Sequence, residues 1–149
     1  PDDFEVQNKT RFLAAQQETI ASLTLLTSGL AALALVVGGV GIFALMLLSV
    51  KERTGEIGLR RAVGARPRDI LVQFLAESAV LALGGWLVGV AAGGLGAGAI
   101  AFGTEWNVAL PVEALLASLG MAGITGLGFG AVPARKASLL PPIQALSAE

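Results

Sequence analysis

The sequence predicts an all-α integral membrane protein with three transmembrane helices, an N-terminal stalk helix and a short helix on the cytoplasmic side. Three features carry that prediction. No formal charge falls between Glu18 and Lys51, between Glu77 and Glu105, or between Glu113 and Arg135. These gaps hold 32, 27 and 21 residues, and a helix needs about 20 to cross the hydrocarbon of a bilayer. The chain is also 54% hydrophobic and only 14% charged, against roughly 25% charged in soluble domains. Finally, six of its ten basic residues lie in one stretch, Ser49 to Ile70. A soluble helical core would need a polar outer face along each helix, and the three runs lack one.

Taken in order, residues 1–19 read as a stalk helix that begins outside the bilayer. Phe12, Leu13, Ile20 and Leu23 alternate there with Gln16, Gln17 and Glu18 before the apolar run begins. The first span covers residues 20–50 and is longer than the hydrocarbon requires. Residues 51–68 form the basic segment, in which Gly64 is suited to stop a short helix. Pro67 fits the first turn of the next helix, and Asp69 is favourable near its positive end. The second span covers 69–102, an extracytoplasmic connection 103–112, and the third span 113–134, with Trp106 suited to the membrane interface. Pro133 is expected to close or kink that span, leaving 135–149 as a cytoplasmic tail. The opening "PDDFEVQNK" has no basic n-region or apolar h-region, so it reads as a cut or processed end rather than a signal peptide.

Orientation follows from basic residues near the span ends. Lys51, Arg53, Arg60, Arg61, Arg66 and Arg68 fall on one side, and Arg135 and Lys136 return to it after two further crossings. Only Lys9 and Arg11 oppose them. The N-terminal end is therefore expected outside and the C-terminus in the cytoplasm.

Small residues form the next pattern. The chain has 20 glycines, about twice the usual share. Gly85, Gly89 and Gly93 are spaced by four, as are Gly94 and Gly98, and Gly126 and Gly130; Gly38 and Gly39 lie in the first span. Such rows let helices approach closely in lipid, although glycine is also common in membrane helices generally. Gly38, Gly39, Gly85, Gly89, Gly93, Gly126 and Gly130 are the candidate packing positions.

Catalytic chemistry finds little to work with. There is no GxxxxGK[ST] phosphate loop, no histidine and no cysteine. Lys9, Lys51 and Lys136 all fall at or beyond span ends, away from any serine partner at membrane depth. The carboxylates are scattered, so no metal site is expected, nor is a nucleic-acid partner. Glu77 alone approaches the interior of a span, where a polar residue is a functional candidate by default. It lies about 12 Å along a helix from Asp69, placed either for shallow burial beside a partner or for snorkelling to the cytoplasmic interface. A secondary carrier would need a charged site at mid-membrane, and none is visible.

The stretch "GGVGIFALMLLSVKERTGEIGLRRAVGARPRDILVQFLAES" resembles the signature of MacB/FtsX-like ABC transporter permeases, and "PARKASLLPPIQAL" is similar to the tail of that family. The likeness covers roughly Gly38 to Ser78 and Pro133 to Leu146, with ERTxEIGxRRAxGA its most specific part. It implies the C-terminal membrane portion of a permease subunit, preceded in full-length members by a helix and an extracytoplasmic domain. It also implies an ABC ATPase subunit or domain as partner, holding the ATP and Mg, with no cofactor in this chain and no enzymatic activity of its own. A second permease subunit in a homo- or heterodimer is implied as well, together with the lipid bilayer and a candidate extracytoplasmic adaptor protein. ATP hydrolysis would then drive motion of extracytoplasmic domains for export or extraction of a substrate. The alternative is an FtsX-like regulator that activates extracellular cell-wall hydrolases through the same transmembrane signalling.

On that resemblance residues 51–68 become the coupling segment, with Glu52, Arg53, Glu56, Ile57, Leu59, Arg60 and Arg61 as the ATPase-coupling residues. Ile57, Leu59, Ala62 and Val63 would be covered by the membrane and the charges held in water. The competing reading is a topology anchor for anionic lipid. The chain departs from the family pattern at Phe43, Ala44 and Gly55, and at Pro141, Gln144 and Ser147 where tail charge is more usual. The lost charge puts electrostatic docking by the tail in doubt.

Overall fold

A computed structural model describes residues 2–103 and 111–141, with side chains from residue 11 onward. Four helices follow one another: α1 (Asp2–Glu52), α2 (Thr54–Ala62), α3 (Pro67–Gly103) and α4 (Val112–Ser138). Among the described residues there is no strand. Segments Arg11–Glu52, Pro67–Gly103 and Val112–Ser138 are each long and apolar enough to cross a membrane. Residues 104–110 of the 103–112 connection, Trp106 among them, and most of the tail lie outside the described residues.

The surface is the reverse of a soluble protein's. Leu25 is 74% exposed, Leu95 77% and Ile124 70%, and residues of this kind coat the spans on nearly every side. In water such a surface would drive aggregation; in lipid it is a solvated one. Several hydroxyls inside the spans are satisfied by their own helix. Thr24 donates to the carbonyl of Ile20, Thr27 to that of Leu23 and Ser78 to that of Leu75, which removes the cost of an unpaired donor in hydrocarbon.

Residues 1–36 and 37–149 form two compact units. The described part of the first is helix alone, exposing Leu25, Leu26 and Leu30. In the second, α3 packs along α4. The α3 stripe is Ile70, Phe74, Ser78 and Ala82, all buried and spaced by four, so they share one face. Gly126 and Gly130 of α4 lie against Ala82 and Ser78, and Pro133, Ala134, Ala137 and Ser138 continue the buried face of α4. Met46 and Val50 of α1, Ile57 of α2, Ile70 and Phe74 of α3, and Ala134 and Ala137 of α4 close into one buried cluster. The core therefore gathers at the end of the bundle where α2 sits.

Pro133 neither closes α4 nor ends it. The helix runs on to Ser138 with the proline inside, and the ring is fully buried. Its missing N–H leaves the Phe129 carbonyl without the usual donor, yet the packed face on both sides of it holds the helical course.

Candidate functional site

The short helix α2 stands between α1 and α3, and its ends are built by local sequence. Gly64 has φ +104, a conformation that costs a residue with a Cβ. The amide of Ala65 donates to the Arg60 carbonyl at 3.0 Å and that of Gly64 to Arg61 at 3.2 Å, the paired bonds of a Schellman stop. Three residues on, Asp69 Oδ2 accepts from the Arg66 amide at 3.0 Å, the reach-back half of a capping box, and Pro67 occupies the first helical position. Six residues thus end one helix and start the next.

Ile57 and Gly58 are buried, and Ile57 joins the common core. Leu59, two residues on, is rotated about 200° from Ile57 at 100° per residue and is 58% exposed, and Val63 on the same side is 80% exposed. The four apolar residues expected to share one covered face therefore divide: Ile57 turns inward, while Leu59, Ala62 and Val63 turn outward. Glu52, Arg53, Glu56 and Arg60 are exposed around them.

Charged side chains tie α2 and its start to the neighbouring helices. Arg53 pairs with Glu77 at 3.4 Å, each side chain only partly exposed. Arg60 pairs with Glu56 one turn back and donates to Gln73 Oε1 at 2.6 Å. Arg61 reaches across to α4 and donates to the backbone carbonyl of Ser138 at 2.8 Å. Glu77, partly exposed on α3, thus has its partner at the junction of α1 and α2.

The candidate packing glycines separate into two groups. A Cβ at Gly39 would strike the Phe129 ring, one at Gly126 the Ala82 methyl, and one at Gly130 the Ser78 side chain. Gly38, Gly85, Gly89 and Gly93 have nothing within 4 Å of that position in this chain. Sequence reasoning missed Ser78 and Ala82, the small residues that receive Gly130 and Gly126. Their own spacing of four, in phase with Ile70 and Phe74, was the available signal. It also missed Trp86, whose indole N–H donates to Ser118 Oγ at 3.0 Å and joins α3 to α4. Among the described residues no group of three or more acidic side chains could hold a metal ion.

The charged contacts of α2 thus reach both α3 and α4. The profile of the FtsX-like permease C-terminal family matches residues 28–142. The chain is 45% identical over 148 residues to the macrolide export ATP-binding/permease protein MacB of Bdellovibrio bacteriovorus. It is 44% identical over 147 residues to the pyoverdine export ATP-binding/permease proteins PvdT of Pseudomonas putida and Pseudomonas fluorescens. These alignments take in 99% of this chain but 23% of MacB and 22% of each PvdT, so the chain spans less than a quarter of the length of these relatives. Three apolar helices and a match over most of its length identify a multi-pass membrane protein, and the chain belongs to the FtsX-like permease C-terminal family.

Proposed function

We propose that this chain is the C-terminal membrane portion of the permease of an ABC exporter, and that α2 is the element on which an ATPase acts. The carrying observation is the division of α2 into an anchored face and an outward one. Ile57 is set in the core, whereas Leu59 and Val63 stand out of it amid Glu52, Glu56 and Arg60. An apolar knob ringed by charge suits insertion into a partner's cleft better than it suits a lipid anchor, which would place its apolar residues together on one side. ATP and Mg belong to the ATPase, and this chain performs no chemistry itself. The helix ends bearing Arg53, Arg66 and Arg135 face the cytoplasm, by the excess of basic residues there. The relatives are named for export, which favours an exporter over a regulator of wall hydrolases.

The test uses the full-length protein, with its ATPase, in inverted membrane vesicles. Val63→Cys should be protected from a thiol reagent by the docked ATPase. Glu56→Lys or Arg60→Glu should raise its labelling several-fold, because like charges meet at a contact with little water. Full labelling of the otherwise wild-type protein, unchanged by either reversal, would return α2 to the role of a lipid anchor.

A further inference from the structure

The last carbonyls of a helix lack the amide donors that a further turn would supply, and in α4 those of Arg135, Lys136 and Ala137 are met by the Leu139 and Leu140 amides, which leaves that of Ser138. It accepts a hydrogen bond from Arg61 of α2 at 2.8 Å, across 77 positions of sequence. The donor is a guanidinium at a helix C-terminus, where the backbone dipole favours positive charge, and the contact is partly buried. Around it the last turn is tightly packed. Ala137 is fully buried, Ser138 is 4% exposed, and Leu140, just beyond the helix, packs against the common core. The Leu139 amide bonds back to the carbonyls of Arg135 and Lys136 at 3.2 and 3.3 Å. Arg60, the neighbouring residue, reaches Gln73 of α3 instead. Adjacent arginines on one short helix thus grip different membrane helices.

We infer that Arg61 is a positioning residue that ties α4 to α2, so that a displacement of α2 is passed directly to the membrane-spanning helix α4. This rests on the reading of α2 as the element an ATPase moves. Arg61 is not on the outward face with Leu59 and Val63; its guanidinium is engaged at the end of α4. Without that bond, α2 would keep its link to α3 through Arg60 and its seat in the core through Ile57. Only its polar grip on α4 would be lost. The partition makes the role separable from folding and from docking.

The experiment places a spin label at Ala117→Cys, an exposed position in the half of α4 remote from α2, in the full-length protein with its ATPase. The vesicles contain phosphatidylethanolamine and phosphatidylglycerol. Spectra are compared without nucleotide and with MgATP and vanadate, and docking is read separately from thiol protection at Val63→Cys. In Arg61→Gln the nucleotide-dependent change at Ala117 should fall at least several-fold while protection at Val63 stays. Arg61→Lys, which keeps a cationic donor, should retain most of the change. Equal responses in all three proteins, or equal loss in both variants, overturn the proposal. Loss of protection at Val63 in Arg61→Gln would make Arg61 itself a docking contact and also overturn it. If wild-type protein shows no protection at Val63, the ATPase reading of α2 fails, and hydrogen exchange then tests the tie alone. Arg61→Gln should speed exchange at the Leu139 and Leu140 amides several-fold, and unchanged exchange there would dispose of the tie as well.

Discussion

Gly126 and Gly130 show how one missing methylene can set a helix contact. In lipid the apolar drive between helices is nearly absent, and association depends on close packing and on hydrogen bonds. Both glycines face small residues, Ala82 and Ser78, and a Cβ at either would overlap them. Gly126→Ala should cost about 1–3 kcal/mol through overpacking, read as a lower thermal midpoint of the detergent-solubilised protein. The Cβ at Gly89 meets open space, so Gly89→Leu should leave monomer stability nearly unchanged. If that substitution nevertheless weakens self-association, measured by crosslinking in vesicles, the row at Gly85, Gly89 and Gly93 faces a second permease subunit. Trp86→Phe removes the donor to Ser118 and should lower stability by only about 0.6 kcal/mol, the usual worth of such bonds between membrane helices.

Among the elements, the passage from α2 to α3 is the most tightly written. Its stop, turn and start occupy Arg60 to Asp69, and each step uses a residue suited to it: glycine at positive φ, proline at the first helical position, aspartate reaching back to an amide. A residue with a Cβ forced into that backbone costs about 1–3 kcal/mol. Gly64→Ala should therefore raise hydrogen exchange at the Gly64 and Ala65 amides and loosen the placement of Arg60 and Arg61. The turn was legible beforehand because its signals are local. The division of α2 into inner and outer faces was only half legible. Helical periodicity separates Ile57 from Leu59, but which of the two meets a core depends on α1, α3 and α4 arriving beside it.

At the scale of the larger unit, residues 37–149, the buried cluster of Met46, Val50, Ile57, Ile70, Phe74, Ala134 and Ala137 lies at one end, where all four helices meet. Phe74 is 1% exposed, and Phe74→Ala should be among the most destabilising single changes, by about 3–5 kcal/mol. Chemical denaturation of the solubilised protein would measure it. The same end carries the charge. If it is cytoplasmic, cysteine at Gly55 should resist a membrane-impermeant thiol reagent in intact cells, and cysteine at Asn107 should react. The reverse pattern would remove α2 from reach of any cytoplasmic ATPase.

The spans, the helical class and the turn at Gly64 were determined by the sequence alone, because lipid imposes its demand on every residue of a span and turn chemistry acts within a few positions. The uncharged runs and the helices Asp2–Glu52, Pro67–Gly103 and Val112–Ser138 agree to that extent. Pro133 marks where local reading stopped short, since α4 runs on through it to Ser138 with the ring buried. Tertiary structure alone decided which glycines touch a neighbour, that Glu77 finds Arg53, and that Arg61 finds a backbone carbonyl 77 residues away. The last is invisible to any reading of side-chain types. Every residue carries a carbonyl, and only packing determines which one at a helix end is left open and within a guanidinium's reach.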